Sequence, residues 1–177
     1  MKILAKAIGM AVSASFILTA CGGEASQIDT WRHPKSIQST ILALESSGKS
    51  ASLNRSESIA GPDANENGIR DDVDAFIGKQ GYTSPKLKSV QQNARAIANI
   101  FHVNINNRDE LIASDLNLQK SINCIFSKFS DSTQSAEVIK NIEIITVNTR
   151  SRVEAYMKYQ IAFNGKVLAS PQGDTCE

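Results

Sequence analysis

Apolar residues return at three- and four-residue steps through most of the chain after residue 33, and that period predicts helices. Ile37, Ile41, Leu42 and Leu44 follow Pro34, a residue suited to the first turn of a helix, and Gly48 ends the segment. Val73, Phe76 and Ile77 give a short apolar face closed by Gly78 and Gly81. Ser84-Pro85 reads as an N-cap and first-turn proline, and Leu87, Val90, Ala94, Ile97 and Phe101 then trace the clearest amphipathic stripe in the chain. Asn106, Asn107 and Asp109 mark a turn, after which Leu111, Leu118, Ile122, Ile125 and Phe129 repeat the spacing.

Ser130-Asp131-Ser132 breaks that helix, and Val138, Ile139, Ile142 and Ile145 begin another stripe. The stripe is β-branched, so a strand over 142–147 is the competing expectation. Asn148 is placed to cap a last helix in which Val153, Tyr156, Met157 and Ile161 point inward and which Gly165 ends; the tail through Pro171, Gly173 and Cys176 is irregular. Six of the thirteen residues from Ser46 to Ser58 are serine, which predicts a loop. The expected fold is all-α, a small bundle of four to six helices with an irregular Ser-rich N-terminal region, forming one domain over 34–177. Its short polar connections imply antiparallel neighbours.

The first residues follow a different pattern. Lys2 and Lys6 precede an uncharged, largely apolar stretch from Ala7 to Leu18, and small residues follow at Ala20-Cys21-Gly22-Gly23. That is the layout of a secretory signal peptide, too short in its apolar core to span a bilayer well. Leu18-Thr19-Ala20-Cys21 resembles the lipobox of bacterial lipoproteins. The resemblance implies a signal peptide over 1–20, cleavage before Cys21, lipid on that cysteine and a short tether over 21–33. Each buried lipid CH₂ contributes about 0.8 kcal/mol, so several chains make a durable membrane anchor. Gly22 in place of an aspartate favours the outer membrane, facing the periplasm.

Charge and cysteine count fit that location. Cleavage removes two of the 19 basic residues, leaving 17 against 18 acidic ones, so the mature chain has no basic footprint for nucleic acid. With Cys21 reserved for lipid, Cys124 and Cys176 remain. An even pair in an oxidising compartment predicts a disulfide; a thiol pair for metal or redox chemistry is the alternative.

One segment carries a ligand pattern. Residues 63–74 read Asp-Ala-Asn-Glu-Asn-Gly-Ile-Arg-Asp-Asp-Val-Asp, with oxygen-bearing side chains at positions one, three, five, nine and twelve and glycine at six. The pattern resembles the EF-hand calcium loop, and more loosely the calcium loops of dockerin-like modules. The resemblance implies calcium held by Asp63, Asn65, Asn67, the Ile69 carbonyl, Asp71 and Asp74. Three features depart from the family: Asp74 stands where the family has glutamate, Arg70 stands at position eight where paired loops carry an apolar residue, and Gly61-Pro62 precedes the loop without a regular entering helix. No second loop of this kind is present in the sequence, which suits a weak structural site rather than a paired sensor. A metal-free Asp/Asn/Gly turn before a helix is the alternative.

Two histidines, His33 and His102, lie near no nucleophile motif, and neither Gly-x-Ser-x-Gly nor His-Glu-x-x-His occurs. Arg150, Arg152, Glu154 and Lys158 read as a solvated helix face with a Glu154–Lys158 pair, and Tyr156 and Tyr159 as core or rim. The expected function is therefore that of a non-catalytic, calcium-binding envelope lipoprotein of structural or protein-interaction type. It is joined to the membrane by its lipid and has a protein partner of unknown identity. The alternative is a periplasmic immunity or inhibitor lipoprotein that neutralises a toxin or hydrolase.

Overall fold

Two helices and the irregular segments that cross them organise the bundle. The computed structural model describes residues 34–48, 52–164 and 169–177. The expected signal peptide, Cys21, the tether, His33 and Gly165 lie outside the described residues. Among the described residues there are six helices and no strand: α1 (Pro34–Ser46), α2 (Asp71–Gly78), α3 (Ser84–Ile100), α4 (Arg108–Lys128), α5 (Ser132–Thr146) and α6 (Arg150–Phe163). The all-α expectation holds, at the upper end of the expected helix number.

α3 packs along α4 and crosses α5, and α5 also touches α1, α2 and α4. Val90, Ala94 and Ile97 of α3 lie against Ile125 of α4 and the Ile139, Ile142 and Ile145 face of α5, all in one buried cluster. Side chains of this kind contribute about 1.5–3 kcal/mol each when fully buried.

The β-branched segment 142–147 is the end of a helix and not a strand. Ile142, Ile144, Ile145 and Val147 are all buried, as are Glu143 and Thr146 between them. A helix enclosed on all sides shows no clean amphipathic stripe. Its start is fixed by Asp131, whose carboxylate accepts from the Thr133 and Gln134 amides. Asn107 caps α4 in the same way.

Two expected caps move by one residue. Thr83, not Ser84, is the N-cap of α3, and Thr149, not Asn148, caps α6 by accepting from the Arg152 amide. Asn148 is drawn elsewhere: its Oδ1 accepts from Arg70 and Arg152, and its Nδ2 donates to the Asn54 carbonyl.

The inward face of α6 also differs from expectation. Arg152, Tyr156 and Tyr159 are buried, while Met157 is 45% and Ile161 69% exposed. Arg152 is therefore not part of a solvated face. Arg150 and Glu154 are, and they pair with each other at 2.8 Å in place of the expected Glu154–Lys158 pair.

The expected disulfide is formed. Cys124 on α4 and Cys176 in the tail are joined, with Cα atoms 5.0 Å apart. The tail gains further bonds: Gln92 Nε2 donates to the Thr175 carbonyl, Thr175 Oγ1 to the Lys120 carbonyl, and Asn123 Nδ2 to the Pro171 carbonyl.

Candidate metal loop and its buried anchor

The 63–74 segment curls so that its short polar side chains bond its own backbone. Asp63 accepts from the Asn67 amide through Oδ1 (3.2 Å) and from the Gly68 amide through Oδ2 (2.9 Å). Asn65 Oδ1 accepts from the Asn67 amide, and Asn67 Oδ1 from the Ile69 amide at 2.8 Å. The two asparagines make the turns in which such a side chain bonds the backbone two residues on, while Asp63 reaches four and five residues on across the loop. Gly68 takes φ +79°, the left-handed conformation that glycine adopts without strain. The neck closes where the Asp71 amide donates to the Pro62 carbonyl and the Ala64 amide donates to Asp71 Oδ1.

Helix α2 begins at Asp71, the ninth position, so Asp74 lies in its first turn. From there Asp74 Oδ2 accepts from Asn67 Nδ2 at 3.1 Å and from Asn65 Nδ2 at 3.4 Å. Hydrogen bonds thus link the side chains of Asn65, Asn67 and Asp74, and fold Asp63 and Asp71 onto the same loop backbone. The Ile69 side chain points away and is 1% exposed, which leaves its backbone as its contribution to a site.

As a donor set, three carboxylates, two amides and a carbonyl suit a hard cation such as calcium, which takes six to eight oxygens. Two features bear against a ready-made cage. The amide nitrogens of Asn65 and Asn67 face Asp74, so each amide must rotate to offer its oxygen. Among the described residues no three His, Cys, Asp or Glu side chains gather as a metal-holding group. A cation here depends on the amides.

Arg70 shows how a solitary loop is fastened. Its guanidinium turns inward, 4% exposed, and donates from Nη1 to the Thr146 carbonyl (3.0 Å) and from Nη2 to the Ile145 carbonyl (2.9 Å). Those carbonyls end α5, where no further turn satisfies them and where a positive charge is favourable. Arg70 also forks onto both oxygens of the buried Asp72. Asp72 in turn accepts from the Asn54 amide at 2.6 Å. The position that is apolar in paired EF-hands thus holds this loop to the end of the central helix.

Arg152 fastens the Ser-rich segment. It is fully buried and donates to the carbonyls of Asn54 (2.8 Å), Ser58 (2.8 Å) and Ile59 (3.0 Å), and to the side-chain oxygens of Asn54 and Asn148. Burial lowers its pKa to about 10; the nearby Arg70 charge acts in the same direction and Asp72 opposes it. Gly61, at φ +71°, lies flat over both arginines: a Cβ there would come 2.3 Å from Arg70 Cδ and 3.2 Å from Arg152 Nη2. This network has no signature in the sequence, because arginine in an amphipathic helix is normally assigned to solvent.

A cleft of about 640 Å³ lies beside the loop, between α3, α4 and the C-terminal tail. Asn99 and Arg95 line it from α3, His102 from the turn just after α3, and Lys120 from α4. Among the described residues no side chain hydrogen-bonds the His102 ring.

No protein-family model, no curated protein and no solved structure matches the chain.

Proposed function

We propose that this chain is a calcium-binding lipoprotein of the bacterial cell envelope, with a structural or protein-binding role and no catalysis of its own. The observation that carries the calcium reading is that Asp63, Asn65, Asn67, Asp71 and Asp74 all turn into one short loop, linked by hydrogen bonds to each other or to its backbone. Calcium at its centre would replace the bonds from the two amides to Asp74 with oxygen contacts. It would also tie the start of α2 to the Pro62 neck. Through Arg70 the same ion would firm the end of α5.

The lipid anchor on Cys21, with the outer membrane as its address and the periplasm as its compartment, belongs to the same proposal. It rests on the Leu18-Thr19-Ala20-Cys21 motif. Met157 and Ile161, exposed one turn apart on α6, support a protein partner, since apolar surface of this kind gains from being covered. Among the described residues no helix is long and apolar enough to cross a membrane. In this proposal the lipid does the holding.

The test has two arms. Calcium, and not an equal concentration of magnesium, should raise the melting temperature of the intact protein, and Asp63→Ala should remove the rise. At a free concentration ten times the dissociation constant the gain is about 1.4 kcal/mol. Cys21→Ser should move the protein from the membrane fraction to the soluble fraction. A melting temperature indifferent to millimolar calcium defeats the metal reading, and unchanged membrane association defeats the anchor.

A further inference from the structure

The cleft between α3, α4 and the C-terminal tail has a chemistry distinct from the metal loop. Its walls carry cationic and amide groups: Arg95 and Asn99 from α3, His102 from the turn that follows it, and Asn117 and Lys120 from α4. Small residues, Ala96 and Ala98, leave room along the α3 wall. Among the described residues no aromatic ring other than that of His102 lines the cleft. Stacking of a base or a sugar face therefore has little support, and hydrogen bonding and charge dominate.

The tail forms the third wall, and its acids are already engaged. Asp174 Oδ1 accepts from the Cys176 amide, and Glu177 meets Arg95 Nη2 at 2.6 Å. Lys120 Nζ and the His102 ring have no hydrogen-bond partner among the described residues. The cleft thus holds two cations, Arg95 and Lys120, and two carboxylates, Asp174 and Glu177; Glu177 pairs with Arg95, Asp174 is turned to a backbone amide, and Lys120 has no ion-pair partner among the described residues. The Arg95–Glu177 pair is itself open to water, with side chains 36% and 64% exposed. Exposed pairs of this kind are weak and readily exchanged.

We propose that this cleft is a binding site for an aliphatic ligand bearing carboxylate groups, in which Arg95 and Lys120 hold the carboxylates and Glu177 occupies the Arg95 position when the ligand is absent. Asn99 and Asn117 flank the two cations and supply neutral hydrogen bonds to the rest of the ligand. The Cys124–Cys176 disulfide keeps the tail wall in place, so the site exists only in the oxidised protein. The site does not depend on calcium, although Gly68 of the loop borders it, and a Cβ added there would lie 3.4 Å from Arg95 Cγ.

The test titrates the intact, detergent-solubilised protein, followed by nuclear magnetic resonance at residue level. The probes are tricarballylate and the dipeptide Ala-Ala, each beside its neutral amide. Shifts confined to Gln92–His102, Asn117–Lys120 and the tail, given by a carboxylate probe and not by its amide, are the expected result. A response to tricarballylate alone points to a free polycarboxylate as the natural class, and a response to Ala-Ala alone to a peptide terminus. Arg95→Gln should weaken binding by on the order of tenfold or more, the usual scale for a lost charge-assisted hydrogen bond. Lys120→Gln should weaken it in the same direction. Glu177→Gln should tighten binding by about two- to fivefold, the range expected when an exposed ion pair no longer competes. The proposal is overturned if the amides bind as well as the acids, if Arg95→Gln changes nothing, or if neither acid gives localised shifts in Glu177→Gln, where no carboxylate pairs with Arg95.

Discussion

Replacing Arg152 with methionine keeps an unbranched stem and deletes the guanidinium. Five acceptors lose their donor: the carbonyls of Asn54, Ser58 and Ile59 and the side-chain oxygens of Asn54 and Asn148. At about 1.5–3 kcal/mol for each hydrogen bond to a charged group, a plain sum would exceed the stability of most domains. Three offsets reduce it. Ser58 and Ile59 are exposed residues, so water can take over their carbonyls. Asn148 keeps its bond from Arg70, and Asn54 keeps the bond from Asn148 Nδ2 to its carbonyl and those from Ser56 to its side-chain oxygen. Removing the guanidinium also relieves the burial and the Arg70 repulsion that lower its pKa to about 10. What remains is the loss of the anchor that holds 52–60, which we place at about 2–3 kcal/mol, on the order of one or two hydrogen bonds to a charged group. Urea unfolding should show that loss as a lower midpoint with an unchanged slope. Hydrogen exchange should show faster exchange at Leu53 and Asn54. Arg152→Lys should recover less than half, because one ammonium cannot span five separated acceptors. A loss below about 1 kcal/mol, within the usual range for a surface substitution, with exchange unchanged over 52–60, would refute the assignment of Arg152 as the anchor.

Two further substitutions probe the same architecture. Gly61→Ala meets both a left-handed backbone and a 2.3 Å overlap with Arg70, and should cost about 2–4 kcal/mol in thermal or urea unfolding. Gly48→Ala, at φ +70° but facing open space, should cost only about 1 kcal/mol, which isolates the overlap from the backbone strain. Replacing both Cys124 and Cys176 with serine opens a loop of sequence separation 52 and should remove about 4 kcal/mol in the chain-entropy picture. The same double variant should gain nothing from reductant, whereas the parent protein should fall to its level once reduced.

Much of the fold was legible because its helices carry ordinary signals. The Val90–Ala94–Ile97 stripe, the polar breaks around Asn107 and Asp131 and the paired cysteines each leave a mark in the sequence, through a helical period, turn-forming residues or an even count. α6 was misread for a physical reason. Counting Met157 and Ile161 inward and Arg152 outward follows average hydrophobicity, but the neighbouring segment 54–59 presents three carbonyls that one guanidinium gathers together. That gathering rotates the helix and buries arginine. Asn148 failed as a cap for the same cause, since two guanidiniums recruit its amide. The ligand-like loop was legible as a pattern because its twelve positions are contiguous. Its anchoring through Arg70 was not, because the acceptors lie 75 and 76 residues away at the end of α5. The cleft was invisible for a related reason: its three walls come from separate segments, and no one of them has a motif.

Calcium at the 63–74 loop is the claim on which the functional proposal rests most heavily, and calorimetric titration of the intact protein tests it most directly. One site should appear, with a dissociation constant of roughly 10⁻⁴ to 10⁻³ M, as befits a solitary loop with three carboxylates. Asp63→Ala should abolish the heat, while Asp115→Ala, on α4 outside the loop, should leave it intact. Absence of any heat at millimolar calcium, or an equal response from Asp63→Ala, would show the loop to be a metal-free turn at the start of α2.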